Sequence, residues 1–345
     1  MRWSRTFQLL DVHCEGEIGR IMTGGQPVIA GSNIYEKFKT LSYDPEMQAF
    51  RKMLVLEPRG AAAGSTNLIF PPDDPQNHAG FIVLQPDQAH AMSGSNAICT
   101  TTALLETGMI EMNDGENLVR LETAAGLVIA KAHCKDGKCE HVTLTMPASY
   151  VEELDYGIEK TQWGDLKADI AFGGVFYAIV DVERIGLTIE PANAHHLSAA
   201  GMALKNLLND QLEISHPENP DIAGIAYVMF RQKEADGSIR TATTMWPGRL
   251  DRSPCGTGNA ANLATRVARN EVAQGDEYKA LSTIGSEFRV RHTGLASIGN
   301  KQAVIPEITG RGWTYGMHQI GIDPSDPLKA GWALTDTWGS EAGKI

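Results

Sequence analysis

The sequence predicts an α/β fold in two similar halves, and three observations support that prediction. Short apolar runs of strand length alternate with Gly- and Pro-containing turns, and glycine makes up 35 of the 345 residues. Two segments with helical spacing each follow a turn of small polar residues, near positions 93 and 255. These turns lie 162 residues apart (255 − 93), close to half the chain, and a chain of this length suggests about two domains.

Composition and charge argue against several classes of protein. The 30 basic residues are outnumbered by 42 acidic ones, so the formal net charge of −12 argues against binding to nucleic acid through its phosphates. No apolar run reaches the roughly 18 residues of a membrane-spanning helix, and residues 1–5 do not lead into the apolar core of a signal peptide. Five cysteines form an odd, sparse set that is typical of a reducing compartment. We therefore expect a soluble, cytoplasmic protein with no membrane or nucleic-acid partner.

The first half, assigned to residues 1–165, is predicted to be rich in strands. Apolar runs of strand length occupy residues 7–12, 52–56, 81–84, 118–123, 126–130 and 141–146. One helix is expected before Gly108, with Ile98, Thr102, Leu105 and Met109 on one face. Asp136-Gly137 is a hairpin-turn signal. Cys134 and Cys139 flank that turn and are interpreted as structural, because no second ligand pair at zinc spacing follows them.

The second half, assigned to residues 166–330, is predicted to follow a polar crossing at 152–169 that lacks strong periodicity. Residues 170–180 are strongly apolar, and the Gly173-Gly174 pair inside this predicted strand indicates a bulge or a close backbone approach. A helix at 199–214 and a strand at 225–230 are expected next. The apolar face of a second helix is formed by Ala260, Leu263, Ala264, Val267 and Ala268.

The two helix-opening turns share one plan. Ser93-Gly-Ser-Asn-Ala97 and Cys255-Gly-Thr-Gly-Asn-Ala260 each place a small nucleophilic residue before Gly, a hydroxyl residue and Asn-Ala. Capping alone could explain the first turn, but it does not require a cysteine beside Gly-Thr-Gly. Helix N-termini present free N–H groups and partial positive charge, so two facing turns would hold a carboxylate. The same field is expected to give Cys255 thiolate character.

This arrangement is typical of an enzyme that acts on Cα of an amino acid. The helix starts would hold the carboxylate while a side chain removes the α-proton. Asp251, four residues before Cys255, is placed to balance the ammonium group of the substrate.

The motifs resemble those of the proline racemase superfamily. Residues Asp251 to Gly258, with the sequence Asp-Arg-Ser-Pro-Cys-Gly-Thr-Gly, are similar to its second catalytic motif. Met92-Ser93-Gly94 stands where the family has Met-Cys-Gly-His, and residues 11–17 are similar to its Asp-x-His-x-x-Gly-Glu signature. Residues 173–178 and 284–286 are also similar, so the resemblance covers most of the chain.

The resemblance implies the diaminopimelate-epimerase-like fold, in which two pseudo-symmetric halves each wrap a curved mixed sheet around a central helix. The site would lie at the interface of the halves, residues 331–345 would return to the first half, and no cofactor or metal would be used. Ser93 and Cys255 would be catalytic, and Asp251 would bind the amine. The residues implied to bind the carboxylate are Gly94, Ser95, Gly256 and Thr257. The expected partner is hydroxyproline, and a homodimer is a possible assembly.

Ser93 departs from the family pattern, because racemases and 4-hydroxyproline epimerases of this family have cysteine at both catalytic positions. A serine hydroxyl is a poorer acid or base than a thiol near neutral pH. Dehydration of trans-3-hydroxy-L-proline to Δ1-pyrroline-2-carboxylate returns no proton to the opposite face of Cα, so this hydro-lyase reaction is the expected function. Ser93 would accept the α-proton and Cys255 would supply one, although the sequence leaves the reverse open.

Two other functions stay open. The first is 4-hydroxyproline 2-epimerase activity, from trans-4-hydroxy-L-proline to cis-4-hydroxy-D-proline, as the main or a side reaction. The second is an amino-acid-binding protein without catalysis. The histidines are weaker candidates: His195-His196 is expected on the surface and His13 as structural, while His90 lies close to the Ser93 turn. Gly24-Gly25 does not form a dinucleotide fingerprint.

Overall fold

The computed structural model describes residues 2–334, and its contacts divide the chain into two compact units. The first unit comprises the residues up to Leu144 together with those from Gly310 on, and the second comprises Thr145–Thr309. Up to Leu144 the elements are β1 (Arg5–Cys14), β2 (Glu17–Gly24), α1 (Ile34–Tyr43), α2 (Pro45–Val55), β3 (Gly64–Phe70), β4 (Ala79–Leu84), β5 (Ala89–His90), α3 (Gly94–Glu106), β6 (Gly115–Thr123), β7 (Gly126–Lys135) and β8 (Lys138–Thr145). From there on they are β9 (Ser149–Ile158), β10 (Leu166–Phe172), β11 (Phe176–Asp181), α4 (Ala194–Gln211), β12 (Ser215–His216), β13 (Asn219–Ala223), β14 (Ile225–Lys233), β15 (Ile239–Met245), β16 (Arg249–Leu250), α5 (Gly256–Ala268), β17 (Glu277–Leu281), β18 (Glu287–Ile298), β19 (Lys301–Gly310) and β20 (Gly312–Ile322), with 3₁₀ turns at Val182–Ile185 and Pro191–Asn193.

The first unit is a mixed sheet packed around helix α3. Its strands follow the order β8-β7-β6-β4-β3-β2-β1-β20, with parallel pairing of β4 with β6 and of β2 with β3. Every residue of α3 from Gly94 to Leu105 is buried. A helix buried on all sides must lie in the interior of its unit. Close approaches confirm this position, because a Cβ at Gly312 would strike the Thr102 side chain and one at Gly19 would lie 2.7 Å from Asn96 Oδ1.

Helices α1 and α2 cover an apolar cluster of the first unit, and the prediction of a strand at 52–56 is wrong. Most of that segment is the last turn of α2. The helix begins at Pro45 because Asp44 accepts hydrogen bonds from the backbone amides of Glu46 and Met47. A four-residue apolar run can belong to a strand or to a buried helix, and the Asp44-Pro45 start signal decides for the helix.

The second unit is a closed ring of strands around helix α5. The order β9-β10-β11-β14-β15-β17-β18-β19 returns to β9, because Tyr150 and Ser149 pair with Ala303 and Val304. Helix α5 packs against strands of this ring and buries Gly258–Thr265. Helix α4 packs against β14 and β15, where a Cβ at Gly201 would overlap the Thr244 side chain.

One prediction for the second half is wrong and another is confirmed in part. Residues 152–169 are no crossing segment, since they form most of the antiparallel pair β9–β10, whose exposed polar residues alternate with more buried ones. Gly173-Gly174 lies in the turn between β10 and β11, with Phe172 paired to Phe176, so it forms no bulge inside a strand. It does mark a close backbone approach, because a Cβ at Gly173 would overlap the carbonyl oxygen of Thr257. The two units divide after Leu144 and after Thr309, each 21 residues before the predicted boundary (165 − 144 and 330 − 309). The first division comes early because β9 already pairs within the second unit. The second comes early because β20 pairs with β1 of the first unit.

Other local predictions are confirmed. Asp136 and Gly137 have positive φ angles of 50° and 76° and connect β7 to β8. Cys134 and Cys139 face one another across this hairpin as free, buried thiols. Trp332 pairs with Glu57 of the first unit, while residues 335–345 of the predicted returning tail lie outside the described residues. Among the helices of residues 2–334, none combines the length and the apolar character that crossing a membrane requires.

Candidate active site

Ser93 precedes the first turn of α3 without capping it. Its backbone is extended, with φ −150°, and its side chain accepts no capping hydrogen bond from a backbone amide of the first turn of the helix. Instead, Ser93 Oγ accepts a hydrogen bond of 3.0 Å from Asn96 Nδ2 and lies 3.3 Å from Ser95 Oγ. The capping interpretation therefore does not explain this serine. The contact with the amide favours negative charge on the Ser93 oxygen.

The orientation of Asn96 is held by two side chains of strand β3. Asn96 Oδ1 accepts hydrogen bonds from Ser65 Oγ at 2.7 Å and from Asn67 Nδ2 at 2.9 Å, both on β3. Asn96 is buried to 1% exposure, and Gly19 on β2 leaves room for it. Because the amide oxygen is occupied by two donors, the amide nitrogen faces Ser93. This network fixes the hydroxyl of Ser93 in one place.

The segment before Ser93 is anchored by a buried arginine. Arg51 Nη1 donates 2.6 Å hydrogen bonds to the carbonyl oxygens of Gln85 and Pro86. His90 Nε2 lies 3.2 Å from both carboxylate oxygens of Asp87, so the partner of this histidine is an acid of the same segment. These contacts fix residues 85–90, which lead into the Ser93 turn.

Cys255 precedes helix α5 in a backbone conformation that is rare for a residue with a side chain. Its φ is +70° and its ψ 106°, a region that costs non-glycine residues about 1–3 kcal/mol. The surrounding hydrogen bonds compensate. Asp251 Oδ1 accepts from the backbone N and the Oγ of Ser253, both at 2.9 Å, and Ser253 Oγ accepts from the Cys255 amide at 3.2 Å. Asn259 Nδ2 donates to the carbonyl oxygens of Pro254 and Cys255 at 2.6 and 3.1 Å.

The thiol of Cys255 is protonated at neutral pH, so the expectation of thiolate character is wrong. Burial raises the pKa of Cys255 to about 12, and the negative charge on Asp251 adds to the rise. Hydrogen bonds from Tyr177, Thr243 and the Gly258 amide act in the opposite direction. The partial positive charge at the start of α5 does not offset the two effects that raise this pKa, which are the burial of Cys255 to 3% exposure and the nearby carboxylate. A protonated thiol can donate a proton and must be deprotonated before it accepts one.

Comparison with known proteins identifies the family. The proline racemase family model matches residues 9–333. The chain belongs to the proline racemase family. A 4-hydroxyproline 2-epimerase of Agrobacterium fabrum (strain C58 / ATCC 33970) is 60% identical over 345 residues, which is all of both chains. A 4-hydroxyproline 2-epimerase of Allorhizobium ampelinum (strain ATCC BAA-846 / DSM 112012 / S4) is 57% identical over all of this chain and 99% of its own.

Solved structures confirm the predicted fold class for this proline racemase family member. A hydroxyproline epimerase from Agrobacterium vitis, solved with bound trans-4-OH-L-proline, matches with a TM-score of 0.92 and 57% identity over 99% of this chain and all of its own. A phenazine biosynthesis protein of the PhzF family from Bacillus anthracis matches with a TM-score of 0.58 at 12% identity, over 92% of this chain and all of its own, which shows a shared fold alone. The chain therefore has the α/β fold of the diaminopimelate-epimerase-like class.

The family motifs fall into two local clusters, one in each unit. Ser93, Gly94 and Ser95 lie together at the start of α3, and Asp251 and Cys255 precede Gly256 and Thr257 at the start of α5. The histidines take other positions. His195 and His196 are exposed on α4, and His13 accepts from the Gly16 amide and lies 5.8 Å from the Tyr315 ring, centroid to centroid. Two acids of the segment 11–17 form ion pairs: Asp11 of the signature pairs with Arg20 and His318, and its neighbour Glu15 pairs with Arg311.

Sequence reasoning missed the residues that support the two helix starts. Asn96 and Asn259 appear in the repeated plan, but the sequence does not show that Asn96 contacts a side chain while Asn259 contacts carbonyl oxygens. Tyr177 was part of the family-like segment 173–178, yet nothing in an apolar strand identifies a functional phenol. Its hydroxyl lies 2.6 Å from Thr257 Oγ1 and 3.6 Å from Cys255 Sγ. These contacts join residues about 80 positions apart.

Gly173 is predicted to be essential for the position of the Cys255 helix. A Cβ there would overlap the carbonyl oxygen of Thr257 and lie 2.7 Å from the amide nitrogen of Ala261. We expect Gly173→Ala to destabilise the protein by about 1–3 kcal/mol, because overpacking must displace backbone, and to slow catalysis at least about 10-fold. Urea unfolding and turnover of the substrate proposed below measure the two effects. Gly157→Ala is the matched control, since no atom lies within 4 Å of its added Cβ; equal behaviour of the two variants would contradict the prediction.

Proposed function

We propose that this protein is a 4-hydroxyproline 2-epimerase, which converts trans-4-hydroxy-L-proline to cis-4-hydroxy-D-proline. The proposal rests mainly on relatives of that name, which are 57–60% identical to this protein over the whole chain. This reaction was the alternative expectation from the sequence. The chain keeps a protonated thiol at Cys255 and a hydroxyl oriented by Asn96 at Ser93, which supply the two proton-transfer groups that inversion requires.

In the proposed reaction the two groups act on opposite faces of one Cα. Ser93 Oγ, after its own proton has passed to solvent, accepts the α-proton of the L-substrate while the C–H bond breaks. The Cys255 thiol gives its proton to the other face, which leaves a hydroxyl at Ser93 and a thiolate at Cys255. After product release, loss of a proton from Ser93 to solvent and gain of one by Cys255 restore the starting state for the next L-substrate. The Asn96 amide lowers the cost of charge on Ser93. The Cys255 thiol is a donor at neutral pH because its pKa is about 12.

The substrate would be held by the two helix starts. We propose that the first-turn backbone of Gly94, Ser95, Gly256 and Thr257 binds the carboxylate, because helix N-termini attract anions. Asp251, buried to 5% exposure, would bind the ammonium group. Carboxylate binding also favours loss of the α-proton, since it stabilises the negative charge that the carboxylate gains as the proton leaves.

Dehydration of trans-3-hydroxy-L-proline is a second candidate. The observation in its favour is Ser93 itself, because a serine in place of a thiol weakens one of two proton transfers, and dehydration requires only the removal of the α-proton and loss of the β-hydroxyl. The first step is shared with epimerisation. The same site could therefore carry this reaction as a side activity.

The deciding experiment is a parallel assay of proline, trans-4-hydroxy-L-proline and trans-3-hydroxy-L-proline. In D₂O, NMR should show deuterium at Cα of trans-4-hydroxy-L-proline together with growth of the cis-D product. The o-aminobenzaldehyde adduct of a pyrroline reports dehydration of the 3-hydroxy substrate. Ser93→Ala should abolish both reactions. Adduct formation without any inversion of the 4-hydroxy substrate would overturn the epimerase proposal, and no turnover of any substrate would favour a binding protein.

A further inference from the structure

Tyr177 is a fully buried tyrosine whose hydroxyl points to the candidate catalytic thiol. It lies on β11 with 0% exposure, and its Oη is 3.6 Å from Cys255 Sγ and 2.6 Å from Thr257 Oγ1. Thr257 Oγ1 is in turn 3.9 Å from Cys255 Sγ. The three polar atoms form a triangle at the start of α5. Each has a hydrogen that it can direct to either neighbour.

Apolar side chains pack beside this triangle, and the Thr243 hydroxyl and the Gly258 amide also contact the Cys255 sulfur. Cys255, Tyr177 and Met229 belong to one buried cluster. Gly258 is required for this approach, because a Cβ there would overlap the Met229 methyl group and lie 3.1 Å from both Cys255 Sγ and the Tyr177 ring. The ring of Tyr227 packs against that of Tyr177 at 5.5 Å between centroids. In such surroundings a charge on sulfur is stabilised mainly by the hydroxyl groups that reach it.

We infer that Tyr177 is a positioning residue that stabilises the Cys255 thiolate formed when the thiol gives up its proton. In the resting protein the Tyr177 hydroxyl hydrogen-bonds with Thr257. When the sulfur becomes negative, the phenol turns its O–H toward Cys255 Sγ, and Thr257 donates to the phenol oxygen. No bond to carbon forms or breaks in this rearrangement. The phenol keeps its proton, since burial and the neighbouring thiol hold the pKa of Tyr177 well above its usual value.

This role differs from that of a residue that only fills space. A structural phenol would contribute the same packing when the thiol is charged and when it is neutral. A phenol that donates to the thiolate lowers the free energy of the charged form alone. It also links the protonation state of Cys255 to Thr257, which under the proposed function binds the substrate carboxylate. The inference rests on that proposed function for its catalytic meaning, but not for its effect on the thiol.

The test is alkylation of Cys255 in Tyr177→Phe, with the modified peptide identified by mass spectrometry. Loss of a hydrogen bond to a charged group corresponds to about one pKa unit. Because only the thiolate reacts, a higher pKa lowers the thiolate fraction, so iodoacetamide should label Cys255 about 10-fold more slowly at every pH below that pKa. No substrate is involved, so this measurement does not depend on the proposed function.

The matched control is Tyr150→Phe. Tyr150 is another buried tyrosine of the second unit, and it packs against Phe172 and Phe176 in a different apolar cluster. Its variant should label at the rate of the unchanged protein. With trans-4-hydroxy-L-proline, Tyr177→Phe should lower kcat about 10–100-fold with little change in KM, because the missing contact forms only as charge develops on sulfur.

Four outcomes decide the inference. Slower labelling in Tyr177→Phe alone, with circular dichroism and urea unfolding like those of the control, supports it. Unchanged labelling overturns it. Unchanged kcat with a raised KM also overturns it, because Tyr177 would then act only by orienting Thr257 toward the carboxylate. Slower labelling in a protein that turns over none of the substrates would keep the inference about the thiol and reject the proposed function.

Discussion

Replacement of Cys255 by alanine should lower kcat/KM for inversion of trans-4-hydroxy-L-proline by about 10³-fold, the size expected for loss of a general acid or base. That factor corresponds to about 4 kcal/mol of transition-state stabilisation. The thiol is protonated at neutral pH, and its replacement by a methyl group removes the proposed proton donor to one face of Cα. Polarimetry and the appearance of deuterium at Cα measure the loss.

Cys134→Ala is the control for removal of a buried sulfur. Cys134 is exposed to 1% and lies on β7, opposite Cys139 of β8. We expect it to change stability slightly and leave turnover within about twofold, as ordinary core substitutions do when they avoid the site. Comparable activity of Cys255→Ala and Cys134→Ala would remove Cys255 from the mechanism.

Asp251→Asn should change two measurable properties in opposite directions. The negative charge on Asp251 raises the pKa of Cys255, so its removal should lower that pKa. A lower pKa raises the thiolate fraction at any pH below it, and alkylation of Cys255 should accelerate by up to about 10-fold. The substrate ammonium, however, would lose its buried partner, and KM should rise about 100-fold or more. Faster alkylation together with weaker substrate binding would separate the two roles of Asp251, which are its effect on the pKa of Cys255 and its binding of the substrate ammonium.

Asp236→Asn is the matched control for the loss of local hydrogen bonds. Asp236 accepts from the backbone N and the Oγ of Ser238 at 3.0 and 2.6 Å, the same pattern that Asp251 forms with Ser253. It lies in the turn between β14 and β15 and is not part of the segment that leads into α5. Asp236→Asn should leave both alkylation and KM unchanged. If it reproduced the effects of Asp251→Asn, disruption of the turn would explain them, and charge would not.

The sequence predicts well those elements whose local pattern fits only one type of secondary structure. Helix α5 shows an apolar face over several turns, and β4 is an apolar run bounded by turn signals. The segment at 52–56 failed because four apolar residues fit a strand and a helix end equally. The crossing predicted at 152–169 failed because β9 places polar residues on a solvent-facing side, which depends on tertiary pairing with β10 and β19.

The candidate site shows a similar division. The positions of Ser93, Asp251 and Cys255 could be chosen from the sequence because motif and helix start coincide there. The charge state of Cys255 could not, since it depends on burial and on the carboxylate of Asp251 rather than on the helix alone. Contacts such as Tyr177 with Cys255 join distant parts of the chain, and no local spacing encodes them.

The positive φ of Cys255 has a consequence for how this protein can vary. Glycine is the residue that adopts such a backbone conformation without strain, but glycine carries no thiol, so conformational preference and chemistry select different residues at this position. Ser93, with φ −150°, is under no such conflict. The first proposed catalytic position can therefore exchange one side chain for another at little conformational cost, while the second proposed position favours residues whose chemistry outweighs a less stable fold. Stability and function oppose one another at only one of the two positions.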